Sequence, residues 1–251
     1  MFTITEKTIT TPTGALTYML HTPSAPQRAA NPALLLTFSS TRQASFGEPP
    51  YDIPARIFAE AGHYVVSFDL PNHGEQINAF GQGIVGMAAA FNAGQDPFEQ
   101  FIRQGRTVLD VCLDHGIGAG GVLACGVSRA GYCALRLTAD DPRIQGVAGL
   151  APVTDWRRLT EFAAMRQQPT VAALALDHYV DALAQRAVFL AIGNHDERVG
   201  TDACVRFALQ LFTLERTQGG DVSRLQLHVV PDAGHSLADE WRAAGAKFLL
   251  P

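Results

Sequence analysis

The sequence predicts an α/β fold: a mostly parallel central sheet of about eight strands, an antiparallel N-terminal hairpin, and helices on both faces. Three observations carry that reading. Short apolar runs alternate with helical runs along most of the 251 residues, the pattern of strands joined by crossover helices. One apolar run, Val122-Leu123-Ala124-Cys125, leads through Gly126-Val127-Ser128-Arg129-Ala130-Gly131 straight into a helical run. An acidic loop and a histidine loop then follow the ends of two later apolar runs, at Asp196 and His235.

In chain order, residues 2–10 and 15–21 are β-rich and flank the turn signal Thr11-Pro12-Thr13-Gly14, which predicts an edge hairpin. Residues 33–38 form a buried-strand run, followed by a polar loop over 39–47. A helix over 53–61 and a strand over 64–68 come next. The segment 75–96 is Gly-rich and poorly periodic. Pro97 opens an amphipathic helix, with Phe98, Phe101, Ile102, Val108, Leu109, Cys112 and Leu113 on its apolar side. A helix over 132–139 ends at Asp140-Asp141-Pro142, and a strand is expected over 144–150. The remaining expectations are a strand over 188–192, a helix over 201–213, a strand over 225–230 and a helix over 236–250. No linker or repeat interrupts this order, so 1–251 reads as one domain with a short cap-like excursion at 151–187.

Composition narrows the function classes. With 47% hydrophobic and 17% charged residues the chain reads as an ordinary globular protein. Its formal net charge is −5 and its longest basic run is Arg157-Arg158, which argues against nucleic acid or an anionic membrane as partner. No run approaches 18 apolar residues, and the N-terminus has no basic segment followed by an apolar one. Cys112, Cys125, Cys133 and Cys204 are scattered with no CxxC pair, so they read as buried thiols of a reducing, cytoplasmic compartment. Homo-oligomerisation is left open.

The chemistry lies in three loops. Strand, small residue, x, Ser, x, small residue, helix describes a tight turn that lifts Ser128 from the sheet, and larger flanking side chains would collide with the adjoining strand and helix. Serine needs a base, and the base needs an orienting acid. Both appear downstream, in Gly193-Asn194-His195-Asp196-Glu197-Arg198-Val199 and in Pro231-Asp232-Ala233-Gly234-His235-Ser236. The order Ser, acid, His and the placement of each at a strand end resemble the α/β-hydrolases, in particular the dienelactone hydrolase and prolyl-oligopeptidase-like group. Dienelactone hydrolases carry Cys where this chain has Ser128, and the peptidases carry an extra domain too large for 251 residues, so a small serine esterase is what the resemblance implies.

It implies Ser128, Asp196 and His235 as catalytic residues, with Glu197 and then Asp155 behind Asp196 as the acid. Asp232 is too close to His235 in sequence to be preferred. The oxyanion hole would combine the backbone N–H of Arg129 with that of Ser39, Ser40 being next in order. The other histidines fit loops, helices or strand interiors. His73, in Pro71-Asn72-His73-Gly74, resembles a family turn and reads as a loop residue.

Two GxGxxG matches, 81–86 and 116–121, lack the strand-loop-helix order of a dinucleotide site, and no HExxH, CxxC or carboxylate cluster suggests a metal. No cofactor is expected. The expected activity is hydrolysis of a small-molecule ester through an acyl-enzyme. The alternatives are a peptidase or amidase on short peptides, and a non-catalytic small-ligand binder. Trp156, Leu159, Phe162, Met165, Leu174 and Leu176 offer apolar surface either for a small acyl pocket or for packing on the sheet, and a preference for short acyl chains follows.

Overall fold

The computed structural model describes residues 3–12, 14–232 and 234–251. Phe2 of the expected first strand, Thr13 of the expected turn, and Met1 and Ala233 lie outside the described residues. The strands are β1 (Thr3–Thr11), β2 (Gly14–Thr22), β3 (Leu34–Phe38), β4 (Tyr64–Phe68), β5 (Val122–Val127), β6 (Ile144–Leu150), β7 (Ala187–Gly193) and β8 (Leu225–Val230). They form one sheet in the order β1-β2-β4-β3-β5-β6-β7-β8. β1 pairs antiparallel with β2, and β2 antiparallel with β4, while the remaining pairs are parallel. This is the expected arrangement of a parallel sheet with an antiparallel hairpin at one edge.

Burial explains which run sits where. β3 and β4 are buried at every position, as a strand covered on both faces must be. β1 is Thr-rich, carries the charges Glu6 and Lys7 and is mostly exposed, and such charges blunt an edge against pairing with another chain. Alternate residues of the inner strands feed two apolar clusters. Leu34, Leu36, Val66, Ala124, Val147 and Leu190 point to one face, while Leu35, Val65, Leu123, Ala148, Phe189 and Ala191 point to the other. Helices α4 (Pro97–Asp114), α5 (Arg129–Asp140) and α6 (Thr201–Gln218) cover the first face. Helices α2 (Ile53–Glu60) and α7 (Asp239–Leu249) cover the second.

Two helices escape sequence reading. The polar loop expected after β3 contains α1 (Arg42–Gly47), whose start is capped by the Thr41 hydroxyl accepting the Ala44 N–H at 3.2 Å. The Gly-rich segment contains α3 (Gly83–Asn92); its sequence, GIVGMAAAFN, is apolar almost all round and so shows no 3.6-residue stripe. The helix expected over 236–250 begins only at Asp239, and residues 236–238 stay in the loop that carries His235. Among the described residues no helix is long and apolar enough to cross a membrane.

The 151–187 stretch folds as short helical turns: Trp156–Arg158, Thr160–Met165, Pro169–Ala172, Leu176–Tyr179 and Val180–Leu183. Its apolar side chains belong to the core. The Trp156 ring lies 4.5 Å from Phe98 of α4 and 5.1 Å from Tyr132 of α5, and Leu159, Phe162, Met165, Leu174 and Leu176 are buried in the same cluster. Of the two uses open to these side chains, the structure chooses packing. All four cysteines are buried and free, and burial pushes each thiol up to about 12, so they are unreactive near neutral pH.

Three buried histidines make stability depend on pH. Burial lowers the pKa of His21, His63 and His73, and for His73 the neighbouring Arg129 guanidinium lowers it further. The Nδ1 atom of His63 accepts the Ala33 N–H at 3.1 Å, a bond that a proton on that atom would abolish. Because the folded imidazoles resist protonation, the unfolded chain binds more protons once pH falls below about 6.5. Stability is intact above that value and is lost progressively as pH falls through it toward the lower folded pKa values. The melting temperature is expected to be several degrees lower at about pH 5 than at about pH 7.5, before the carboxylates titrate. Equal melting temperatures at the two pH values would refute this coupling.

Candidate active site

The strand order reverses at β3, which pairs with β4 on one side and β5 on the other. Strand ends diverge at such a point and leave a crevice at their carboxyl side. Phe38 of β3 stands opposite Gly126 of β5, so the loop carrying Ser39 and Ser40 emerges beside Ser128.

Ser128 has φ 57° and ψ −123°, a conformation costly for a residue with a side chain. Backbone bonds hold it there. Its N–H donates to the Leu150 carbonyl at 2.8 Å, and its own carbonyl accepts from Val153 at 3.1 Å and Tyr132 at 3.2 Å. The turn also needs Gly126, because a Cβ at that position would stand 2.2 Å from the Ala130 carbonyl oxygen. Ala130 is itself fully buried and accommodated.

The loop after β7 supplies Asp196, whose carboxylate is fully buried. Its Oδ1 accepts the N–H groups of Arg198 at 3.0 Å and Val199 at 3.1 Å, leaving Oδ2 facing His235 Nδ1 at 2.7 Å. His235 stands on the loop after β8. There Gly234 adopts φ 79°, and Asp232 accepts the Ser236 hydroxyl at 2.6 Å, a brace across the residue that must point inward. The far ring nitrogen, Nε2, lies 2.8 Å from Ser128 Oγ. The carboxylate can only accept from Nδ1–H, so Nε2 presents its lone pair and the Ser128 hydroxyl donates to it.

Three residues far apart in sequence thus meet in one line of hydrogen bonds. Glu197, next to Asp196, is exposed. Asp155 accepts from the Arg157 guanidinium and backbone instead of turning to His235. His195 is exposed as well.

The two backbone N–H groups expected to face an oxyanion, those of Arg129 and Ser39, have different surroundings. The Arg129 N–H opens α5 at the helix N-terminus, where no preceding turn supplies an acceptor. The Ser39 N–H, the first choice on the other side, donates to Ser45 Oγ at 3.1 Å and is therefore engaged. Ser45 belongs to α1, the helix that sequence reading misses, so this engagement of the Ser39 N–H could not be read from the sequence. Among the described residues the Ser40 N–H has no protein acceptor, and Ser40 lines the cavity at Ser128. The buried Arg42 of α1 braces this loop: it contacts the buried Asp69 at 2.6 Å and the exposed Glu75 and Glu6 at 2.6 and 3.1 Å.

The cavity over Ser128 has a volume of about 180 Å³. Tyr51, Val127, Arg129, Ala151, Leu237 and Arg242 are among the residues that complete its wall. None of the six apolar residues named in 151–187 contributes. His73 is buried beneath the wall: its Nε2 accepts from Arg129 Nε at 3.0 Å, so its Nδ1–H donates to the Pro71 carbonyl at 2.9 Å. Sequence reading takes His73 for a loop residue and overlooks the side chains of Arg129, Arg242 and Tyr51. Only the adjacency of Arg129 to Ser128 could have signalled any of them.

No family model and no curated protein matches the sequence. Solved structures do match. An esterase of Pyrococcus furiosus, Pf2001, aligns at 16% identity over 99% of this chain and 92% of its own, with a TM-score of 0.69. TT1662 of Thermus thermophilus aligns at 20% identity over 98% of this chain and 97% of its own, with a TM-score of 0.67. An acylaminoacyl peptidase of Pyrococcus horikoshii aligns at 11% identity over 98% of this chain but 40% of its own, with a TM-score of 0.67.

Proposed function

We propose, from the α/β-hydrolase fold that this chain has, that it is a serine hydrolase cleaving a small carboxylic ester through an acyl-enzyme. The observation that carries the reading is the line Ser128–His235–Asp196, with separations of 2.8 and 2.7 Å, opening onto a cavity.

The geometry suits each step of the chemistry. An ester carbonyl in the cavity lies in front of Ser128 Oγ. As Oγ attacks, its proton passes to His235 Nε2, and Asp196 keeps the resulting imidazolium oriented and electrostatically stabilised. The carbonyl oxygen becomes an oxyanion, received by the N–H groups of Arg129 and Ser40. One such donor lowers the barrier by about 3–4 kcal/mol when it is aimed at the oxyanion position. Collapse expels the alcohol, protonated by His235, and leaves acyl-Ser128. Water, deprotonated by the same imidazole, attacks in turn and releases the acid and the free serine.

A fluorophosphonate probe tests the nucleophile: labelling at Ser128 supports an enzyme, and an unlabelled, folded protein points to a ligand binder. Turnover of p-nitrophenyl esters against aminoacyl anilides tests the bond, and faster anilide cleavage would make the protein a peptidase. Chain length is set by the cavity. Its volume of about 180 Å³ is below the ~300–1,000 Å³ of sites that enclose drug-sized ligands. We expect kcat/KM to fall beyond about six to eight acyl carbons, where each further methylene fails to recover its ~0.8 kcal/mol of burial. A p-nitrophenyl series from acetate to palmitate measures this, and a maximum at the long chains would show an acyl channel.

A further inference from the structure

A second cavity, of about 610 Å³, lies between α3, α4, α5 and the short turns over 168–179, and it shares no lining residue with the cavity over Ser128. Arg136 stands in its wall, about 12 Å further along α5 than Ser128. This arginine is 9% exposed, and among the described residues no carboxylate comes within ion-pair distance of it. Its Nη1 donates to the Tyr132 hydroxyl at 3.1 Å, and the guanidinium lies 3.9 Å from the centre of the Tyr179 ring. Among the described residues Nε and Nη2 have no protein acceptor. Burial opposes the charge on Arg136, while Tyr132, Tyr179 and the more distant Asp96 favour it, and on balance its pKa is raised. The guanidinium therefore stays charged.

The chain treats a structural buried arginine differently. Arg42, 1% exposed, meets the carboxylates of Asp69, Glu75 and Glu6. Burying a cation without such a partner is destabilising, and a ligand carboxylate reaching Nη2 would relieve the cost through charge-assisted hydrogen bonds.

The same cavity holds two carboxylates. Asp96 caps α4 through Oδ1, which accepts from Phe98 and Glu99, and among the described residues its Oδ2 has no protein donor. Glu99 is paired only with the exposed Arg103, at 3.0 Å. A phosphate or a dicarboxylate would be repelled by these two acids, and a simple amine by Arg136. A molecule carrying one carboxylate and one ammonium satisfies both sets of charge. Phe91 and Leu174 add apolar surface to the wall.

We infer that this cavity binds an apolar α-amino acid, with its carboxylate on Arg136 and its ammonium on Asp96. The volume falls within the ~300–1,000 Å³ of sites that enclose small molecules. The site does not depend on the proposed hydrolase activity.

Isothermal titration calorimetry tests it with three compounds built on one carbon skeleton. They are L-leucine, 4-methylpentanoate, which lacks the ammonium, and 3-methylbutylamine, which lacks the carboxylate. Leucine is expected to bind about tenfold or more tightly than either fragment. Arg136→Gln should weaken leucine binding by about tenfold or more, and Arg136→Lys should retain part of it. Ala173→Trp brings an indole into the cavity from an exposed position and should weaken leucine binding as much without removing the charge. Both positions lie outside the Ser128 cavity, so loss of binding identifies this one. Melting curves without ligand report which variants fold, and if Arg136→Gln does not, Ala173→Trp decides. No heat of binding for leucine up to about 10 mM would overturn the assignment. So would equal affinity for 4-methylpentanoate, or leucine affinity unchanged in the folded variants.

Discussion

Ser128→Ala is expected to lower kcat on a short p-nitrophenyl ester by about 10³-fold or more while the protein stays folded. The substitution removes only Oγ. The turn itself is held by backbone bonds to Leu150, Val153 and Tyr132, none of which uses that oxygen. Ala already serves elsewhere in this chain at φ 44°, at Ala151, so the backbone at 128 has no added reason to rearrange. Stability should therefore change by less than about 1 kcal/mol, the scale of one exposed-to-half-buried hydrogen bond. What remains of the rate would come from the Arg129 and Ser40 donors polarising a carbonyl for attack by water. Turnover within about threefold of the parent, in protein with an unchanged melting curve, would refute the nucleophile assignment.

Asp196→Asn should cost on the order of 10³–10⁴-fold in kcat, and the hydrogen bonds explain why an isosteric change is so damaging. Two backbone donors, Arg198 N–H and Val199 N–H, converge on Oδ1. An asparagine must keep its carbonyl oxygen there, because its amide nitrogen cannot accept from them. Its NH₂ group is then forced toward His235 Nδ1, which can only respond by becoming an acceptor. The ring proton moves to Nε2, the atom that should take the proton of Ser128. The base is lost through its tautomer, with packing left nearly intact. Glu197→Gln is the control: the side chain is exposed, and its loss should leave kcat within about twofold. If Glu197→Gln were the damaging change and Asp196→Asn mild, the orienting acid would be Glu197.

The balance between local and tertiary information differs from element to element. Strands buried on both faces were legible because continuous apolar runs such as Leu34–Phe38 and Tyr64–Phe68 have one stable use, the middle of a parallel sheet. Helix α4 was legible from Pro97 and its apolar stripe, and the structure adds the Asp96 cap, whose carboxylate accepts from Phe98 at 2.9 Å and Glu99 at 3.0 Å. Helix α3 was not, since an all-apolar helix has no period to read.

For the site, the sequence by itself determined the residue types and their order: a serine between small residues at a strand end, then an acid, then a histidine. Those are local requirements of a tight turn and of loops at strand ends, and they leave a trace in the residues beside them. The choice among neighbours was tertiary. Asp196 and Glu197 are adjacent and chemically alike, and only the loop's return to the Arg198 and Val199 N–H groups turns one inward and leaves the other in solvent. Ser39 and Ser40 are identical in type, and a hydroxyl from a helix six residues away engages one backbone N–H and spares the other. The charge of the cavity was invisible along the chain for the same reason. Arg129 and Arg242 are 113 positions apart, and what distinguishes them from ion-paired arginines is that, among the described residues, no carboxylate comes within ion-pair distance of either once the chain has folded. Sequence records which groups a chain possesses, whereas pairing and burial, which decide what each group is left to bind, arise only when distant segments meet.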